Sequence, residues 1–176
     1  MPKIYTKYGD QGQTFLPRLG KISKSHELLE VIGIIDELNC HIGLLRSNLQ
    51  DTDILGILLE IQKDLFVIGA RLADDKYEIQ KKPEHEKLEK FIDNTNDKLP
   101  PLVRFVLPGG SLPAAQAHIC RSLSRKFERT LARANEKYQP EPKTLVWINR
   151  LSDFFFILAR SLNYTASGTD ITWDDK

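Results

Sequence analysis

The chain has 176 residues, of which 41% are hydrophobic and 28% are charged. A chain of this length buries enough apolar surface to fold as one domain without a metal or a disulfide, which excludes a disordered or fibrous protein. Its 25 basic and 24 acidic residues give a formal net charge of +1, so no overall charge attracts nucleic acid or an anionic membrane. Any positive charge that binds an anion must be local.

The two cysteines, Cys40 and Cys120, lie in predicted helices and form no CxxC pair, so they are expected to be reduced thiols. The longest apolar run, residues 154–159, is far shorter than the ~18 residues of a membrane span. The N-terminus lacks the apolar region of a signal peptide. These features predict a cytoplasmic protein with neither a membrane nor a nucleic acid as partner.

Residues 1–24 are predicted to form an ordered loop with short extended pieces such as 3–6, because they combine glycines, prolines and lysines. After this loop, apolar residues recur at helical spacing. The expected helices are 25–47, capped by Ser25; 51–73, capped by Asp51 or Thr52; 83–99, opened by Pro83; 111–135, capped by Ser111; and 144–164. The predicted fold is all-α: an antiparallel, ferritin-like bundle of five helices over 25–165, followed by a polar tail over 166–176.

Polar residues interrupt the apolar faces of three of these helices. Asp36 lies among isoleucines and small residues, where a lone carboxylate is unfavourable unless a cation meets it. Arg121 could meet it, because a guanidinium binds a carboxylate through two hydrogen bonds. The other polar residues at helical spacing are Arg125 and Glu128 on the fourth helix, with Asn149, Asp153 and Arg160 on the fifth. Each of these stripes could also be an ordinary solvated face.

The loop 7–14, KYGDQGQT, could bind phosphate, because its glycines expose backbone N–H groups while Lys7 and Lys24 add positive charge. It is not a Walker A loop, which requires Lys-Ser/Thr directly after the last glycine. A second glycine turn, 107–111, precedes the fourth helix. Each segment could equally be an ordinary turn, and Phe105 could be a core residue. No histidine is placed with other metal ligands, and no Ser-His-Asp pattern supports a hydrolase.

Five motifs in order resemble those of the trimeric ATP:cob(I)alamin adenosyltransferases. They are YTKxGDxGxT at 5–14, GxxDELN at 33–39, FxLPGGS at 105–111, HxxRxxxRxxER at 118–129 and NRLSD at 149–153. The similarity extends over about 3–163. It implies a homotrimer of five-helix bundles with active sites between subunits. The implied reaction transfers the 5′-deoxyadenosyl group of ATP to the cobalt of cob(I)alamin, giving adenosylcobalamin and triphosphate.

The resemblance also implies roles for individual residues. The implied ATP contacts are Thr6, Lys7, Gly9, Gly12, Thr14 and Lys24 in the loop of one subunit, and Arg125, Glu128, Asn149 and Ser152 on the helices. Asp36 and Arg121 match a carboxylate–arginine pair that bridges subunits near the corrin. Phe105 matches an aromatic residue that closes the lower face of the corrin. With Arg125, these three are the expected catalytic residues, and Mg²⁺ is expected to arrive on the ATP phosphates.

The implied chemistry needs no nucleophile or base from the protein, because Co(I) itself attacks C5′ of ATP. The chain departs from the family pattern at Lys126, Lys21 and Leu28, where arginines are common, and at the bulkier Ile32 and Ile34. Two other functions remain open: a non-catalytic cobalamin carrier on the same fold, and a helical interaction module. A reductase and an adenosylcobalamin-dependent enzyme are candidate partners.

Overall fold

In the computed structural model, which describes residues 4–5, 7–78, 82–138 and 140–173, five helices pack side by side. They are α1 (Glu27–Ser47), α2 (Thr52–Ala73), α3 (His85–Asn96), α4 (Leu112–Tyr138) and α5 (Pro142–Ser167). α1 contacts α2 and α4, and α5 contacts α3 and α4. The ion pairs Glu27–Lys137 (3.0 Å) and Glu37–Lys126 (3.3 Å) show that α1 and α4 run antiparallel. The predicted five-helix bundle is confirmed.

The core follows from the spacing of apolar residues. On α1, Leu28, Val31, Leu38 and Ile42 recur at steps of three, four and seven, and all are fully buried. α5 is apolar on nearly every side, and its buried residues include Trp147, Leu151, Phe154, Phe155 and Leu158. Burying each side chain of this size stabilises the fold by about 1.5–3 kcal/mol. α5 is therefore central to the bundle, as its composition predicts.

The predicted N-cap of α1 is wrong, and that of α2 is confirmed. Ser25 does not cap α1. The N-cap is His26, whose Nδ1 accepts a hydrogen bond from the backbone N–H of Leu28 at 3.1 Å. Asp51 caps α2, because one carboxylate oxygen accepts from the N–H groups of Asp53 and Ile54 at 2.9 and 3.0 Å. The end of α2 at Ala73 is confirmed.

The later helices begin and end away from several of the expected residues. α3 is shorter than predicted at both ends, whereas α4 and α5 each extend about one turn further at the C-terminal end. Ser111 caps α4 as expected, since its hydroxyl oxygen accepts from the N–H of Ala114 at 3.4 Å. α5 begins at Pro142, two residues early, because proline at the first helical position lacks only an N–H that would have no partner.

The N-terminal segment contains a β-hairpin that was not predicted from the sequence. β1 (Gln13–Leu16) pairs antiparallel with β2 (Gly20–Ser23), with Thr14 opposite Ile22. Of the predicted extended piece 3–6, Lys3 and Thr6 lie outside the described residues. The turn of the hairpin is fixed to the bundle by Arg18, whose N–H donates to the carbonyl of Ala73 (3.0 Å) and whose guanidinium donates to that of Tyr138 (3.1 Å).

The segments before α4 and after α5 pair with each other. Val106 and Thr172 form an isolated antiparallel bridge. The N–H of Leu107 donates to the carbonyl of Ile171, and that of Trp173 donates to the carbonyl of Phe105, both at 2.8 Å. Phe105 is therefore held by backbone hydrogen bonds to the C-terminal segment.

Gly110 occupies a position that no other residue fits. Its φ is +100°, and a Cβ there would overlap the side chain of Asn163. Gly110→Ala is expected to lower the free energy of unfolding by about 1–3 kcal/mol, measured by urea denaturation. Gly56→Ala is the control, because Gly56 lies in α2 with open space around it. This substitution should raise the free energy of unfolding instead. Equal effects of the two substitutions would contradict this account.

No helix in the described part of the chain is long and apolar enough to cross a membrane. Both cysteines are free, with Cys40 exposed and Cys120 buried. Burial raises the pKa of the Cys120 thiol to about 12, so this side chain stays protonated at neutral pH.

Candidate active site

The glycine loop before the hairpin consists of two consecutive tight turns. The N–H of Asp10 donates to the carbonyl of Lys7 (3.3 Å), and the N–H of Gly12 donates to that of Gly9 (3.2 Å). Lys7 has φ +61° and Gly12 has φ +72°. A lysine in this left-handed region carries backbone strain, which concentrates at binding sites. Thr6, the other predicted contact in this turn, lies outside the described residues.

Lys24 closes the loop. Its N–H donates to the carbonyl of Gly12 at 2.9 Å, and a side chain at Gly9 would begin 2.8 Å from its Nζ. The absence of a side chain at Gly9 thus leaves room for this ammonium group. Thr14 is half-buried in β1 directly beyond the loop. The structure therefore brings Lys24 together with Gly9 and Gly12, and Lys7 and Thr14 lie at the two ends of the same loop.

A second group of predicted residues lies across α4 and α5. The side-chain amide of Asn149 donates to Glu128 at 2.7 Å, while its oxygen accepts from Arg150 at 2.8 Å. Arg150 also donates through Nε to Glu89 on α3 at 2.7 Å. This chain of hydrogen bonds fixes the orientation of Asn149. Neither Glu89 nor the role of Arg150 was predicted from the sequence, although Arg150 follows Asn149 directly in the NRLSD motif.

Ser152 lies one turn from Asn149 but faces inward. It is 6% exposed, and its hydroxyl donates to the carbonyl of Asn149 at 3.3 Å. Its hydroxyl therefore supports the backbone of α5 at this position.

Arg121 and Arg125 concentrate positive charge on α4. Burial is the main cause that lowers the pKa of Arg121, and the nearby positive charge of Arg125 lowers it further. The buried His118 lies one turn before Arg121. Burial and the charge of Arg121 lower the pKa of His118, and the carboxylate of Asp170 opposes this shift. His118 is therefore neutral at pH 7 and adds no charge. Neither arginine forms an ion pair within the described chain, and Nε of Arg121 is buried without a hydrogen-bond partner there.

The expected environment of Asp36 was wrong for the isolated chain. Asp36 is exposed, because Ile35 and Leu38 turn the other faces of α1 toward the core. No ion pair joins it to Arg121 among the described residues, although Glu37 next to it pairs with Lys126 on α4. The desolvation that was expected to require a cation beside Asp36 does not occur within the chain.

Phe105 is not a core residue. Its side chain is 78% exposed on the connection between α3 and α4. Its ring lies 6.5 Å, centroid to centroid, from that of Trp173. An exposed aromatic ring on a segment held by its backbone is available to cover a large apolar ligand.

The predicted ATP contacts fall into two separate groups. No hydrogen bond or ion pair in the described parts of the chain joins the loop residues to those on the helices. The loop group is Lys7, Gly9, Gly12, Thr14 and Lys24, and the helix group is Arg125, Glu128 and Asn149. Lys7 and Lys24 in the first group, the loop half-site, and Arg125 in the second, the helix half-site, form no ion pair among the described residues.

The sequence profile described as Cobalamin adenosyltransferase matches residues 4–162 of this chain. The chain belongs to the cobalamin adenosyltransferase family. A cobalamin adenosyltransferase of Cupriavidus metallidurans is 42% identical over 176 residues, covering 98% of this chain and 95% of the relative. A corrinoid adenosyltransferase of Bacillus subtilis is 37% identical over 179 residues, with 98% and 92% covered.

Solved structures of cobalamin adenosyltransferases share the fold. One is a phenylalanine-to-alanine variant of a PduO-type ATP:corrinoid adenosyltransferase from Lactobacillus reuteri, complexed with cobalamin and ATP. It has a TM-score of 0.90 at 34% identity, covering 98% of this chain and 100% of that one. An arginine-to-lysine variant from the same organism, complexed with ATP, has a TM-score of 0.89 at 33% identity, covering 97% and 100%. The family and enzyme class that the five motifs indicated are confirmed.

Lys126 is a departure from the cobalamin adenosyltransferase pattern that the geometry explains. Its ammonium pairs with Glu37 at 3.3 Å, so it connects α4 to α1 inside the chain. A single ammonium suffices for this contact. Among the described residues, Arg121 and Arg125 form no such ion pair and keep their positive charge unpaired.

Proposed function

We propose that this protein transfers the 5′-deoxyadenosyl group of ATP to the cobalt of cob(I)alamin, giving adenosylcobalamin and triphosphate. The observation that carries the proposal is the full-length likeness to the Lactobacillus reuteri enzyme, which is complexed with cobalamin and ATP. The two cationic half-sites support it, because the reaction requires a binding site for a triphosphate.

The reaction places few chemical demands on the side chains. The electron pair of Co(I) forms a bond to C5′, and the C5′–O bond breaks with its electrons going to the triphosphate. The protein brings the two substrates together and stabilises the charge of the leaving group. We assign binding of the triphosphate to Lys7, Lys24 and Arg125, and orientation of the nucleotide to Asn149 and Glu128.

Mg²⁺ is proposed to enter on the phosphate oxygens of ATP. The loop half-site, with Lys7 and Lys24, fits an anion, and Arg125 adds a cation to the helix half-site. Among the described residues, no group of three His, Cys, Asp or Glu side chains could hold a metal ion. Bound to the phosphates, Mg²⁺ neutralises part of the charge of the leaving group.

Phe105 is proposed to cover the lower face of the corrin. A phenyl ring cannot ligate cobalt, so its effect is to exclude water and other axial ligands. Co(II) without an axial ligand is easier to reduce to Co(I). A separate one-electron reductant must supply the electron. Asp36 and Arg121 are proposed to pair across a subunit boundary beside the corrin; the exposure of Asp36 leaves it available for such a pair.

We propose a homotrimer in which the loop half-site of one chain meets the helix half-site of its neighbour. Three observations support this. Among the described residues, no hydrogen bond or ion pair joins the two half-sites and Arg121 has no acidic partner, and α1 has an exposed stripe of Gly33, Asp36 and Cys40 that would permit close approach. The same proposal assigns the enzyme to the cytoplasm, where its two free thiols stay reduced.

Mixed trimers test the shared site. Lys7→Ala and Arg125→Ala are each expected to reduce activity, whereas refolding the two variants together should restore about one quarter of the wild-type sites if the chains mix at random. Each restored site would combine an intact loop from one variant with an intact α4 from the other. Mixing Arg125→Ala with Asn149→Ala is the control, because both changes affect the same half-site and no recovery is expected. Absence of recovery in the first mixture would contradict a shared site.

The proposed activity is tested by mixing the protein with cob(I)alamin and Mg-ATP without oxygen and recording the corrin spectrum. Conversion to the spectrum of adenosylcobalamin is expected. A carrier would bind the corrin without this change, and an interaction module would not bind it. Either of those results would refute the adenosyltransferase.

A further inference from the structure

The large apolar side chains of the connection 97–111, which carries Phe105, do not pack into the core. Leu102, Val103 and Phe105 are 51%, 84% and 78% exposed. Because these apolar groups do not pack into the core, hydrogen bonds made by the backbone of the connection contribute to the position of Phe105.

Two polar residues on α5 hold the two ends of this connection. The guanidinium of Arg160 donates to the carbonyl of Pro100 at 2.8 Å. One turn later, the amide of Asn163 donates to the carbonyl of Gly109 and accepts from the N–H of Ser111, both at 3.0 Å. Both anchors are buried, with Arg160 3% and Asn163 1% exposed.

Arg160 also holds the segment that pairs with the middle of the connection. Its Nε donates to Asp170 at 2.7 Å, and the two side chains are 4% and 13% exposed. Asp170 immediately precedes Ile171, which accepts the hydrogen bond from Leu107. One guanidinium therefore fixes both the start of the connection and the C-terminal segment, 168–173, that pairs with Phe105.

We propose that Arg160, through its ion pair with Asp170 and its bond to Pro100, is a positioning residue that sets the placement of Phe105. The inference rests on the proposed function, because it concerns the face of the corrin that Phe105 is assigned to cover. Arginine suits the position because its planar fork reaches two acceptors at once, whereas lysine offers a single ammonium. Removing either partner leaves the other charge buried and unpaired, which favours release of the segment.

The first test is independent of catalysis. Arg160→Met is expected to speed amide hydrogen exchange at Leu107 and Trp173 by about 10-fold or more, because their hydrogen bonds would open locally. Arg160→Lys should give a smaller increase. Arg71→Met is the matched control, since Arg71 donates to backbone carbonyls of Asp75 and Tyr77, far along the chain from the connection. It should leave exchange at both amides unchanged.

The second test compares two rates of adenosylcobalamin formation, one starting from cob(II)alamin with a reductant and one from chemically prepared cob(I)alamin. In Arg160→Met the ratio of the first rate to the second should fall about 10-fold, because a displaced Phe105 no longer excludes the axial ligand. Arg71→Met should keep the wild-type ratio. Where Arg160→Met does not fold, Asp170→Asn replaces it, because the asparagine keeps an acceptor oxygen and removes only the charge.

The two measurements together decide whether Arg160 holds the connection and whether it acts through Phe105. Faster exchange together with a lowered ratio supports the proposal. Unchanged exchange in Arg160→Met and Asp170→Asn overturns it, and faster exchange with an unchanged ratio overturns the link to Phe105. If the wild-type protein forms no adenosylcobalamin, the proposed function fails, while the exchange data still decide whether Arg160 holds the connection.

Discussion

Replacing Arg125 with alanine is expected to lower kcat/KM for ATP by about 100-fold, the typical cost of removing one preorganised donor to a developing negative charge. Arg125 is exposed and forms no ion pair within the described chain, so its charge is available to the triphosphate. Lys126 cannot replace it, because its ammonium is paired with Glu37. The measurement is steady-state kinetics with cob(I)alamin saturating and ATP varied.

Arg125→Ala should impair the use of ATP and leave binding of the corrin almost unchanged. The dissociation constant for cob(II)alamin, followed by its absorption change, should differ from the wild-type value by less than about 3-fold, a free energy change under ~1 kcal/mol. Arg133→Ala is the matched control, because Arg133 is an exposed arginine two turns further along α4 and outside the proposed site. If Arg125→Ala and Arg133→Ala had the same kinetics with ATP, the assignment of Arg125 would be wrong.

Phe105→Ala is expected to slow adenosylation that starts from cob(II)alamin by about 10-fold or more, equivalent to about 1.4 kcal/mol in the barrier. Alanine is too small to cover the cobalt, so water can ligate it and make reduction harder. Adenosylation that starts from cob(I)alamin should change far less, because Co(I) needs no further reduction. The measurement is the ratio of these two rates.

The control for Phe105→Ala is Phe66→Ala, which removes an equally exposed ring from α2, away from the connection 97–111. It should leave the ratio of the two rates unchanged. Because both variants remove an exposed side chain, neither should lower the thermal stability of the monomer fold appreciably. Equal losses in the two assays for Phe105→Ala would show that Phe105 acts on something other than reduction.

The bundle could be predicted because apolar spacing determines which helix faces are buried. Trp147, Phe154 and Leu158 on α5 illustrate this, since a helix that is apolar on nearly every side can only lie at the centre. The ends of helices were less predictable. Ser25 and His26 both precede the first turn of α1, and either side chain can accept a backbone N–H there.

Contacts that depend on how separate segments meet could not be predicted. The hairpin was missed because four-residue strands such as β1 show too little alternation, and a backbone ladder does not depend on particular side chains. Asp36 was expected to be buried because helical spacing does not reveal which face a neighbouring helix covers. Arg160 was identified as polar, but its partner Asp170 lies beyond Gly168, whose φ of +78° ends α5.

The local concentration of charge is the feature that best connects composition to function. The net charge of +1 conceals two groups of cations that form no ion pair among the described residues, Lys7 and Lys24 in the glycine loop and Arg121 and Arg125 on α4. In the proposed trimer these groups meet at one triphosphate, so overall neutrality and strong local attraction for an anion coexist in the same chain.

The most direct test of the adenosyl transfer is the phosphorus product of a single turnover. Protein, cob(I)alamin and Mg-ATP are mixed without oxygen, and the products are quantified by phosphorus NMR and corrin absorbance. We expect one triphosphate for each adenosylcobalamin formed. Release of ADP, or of pyrophosphate with no adenosylcobalamin, would contradict it, because bond cleavage would then have occurred away from C5′.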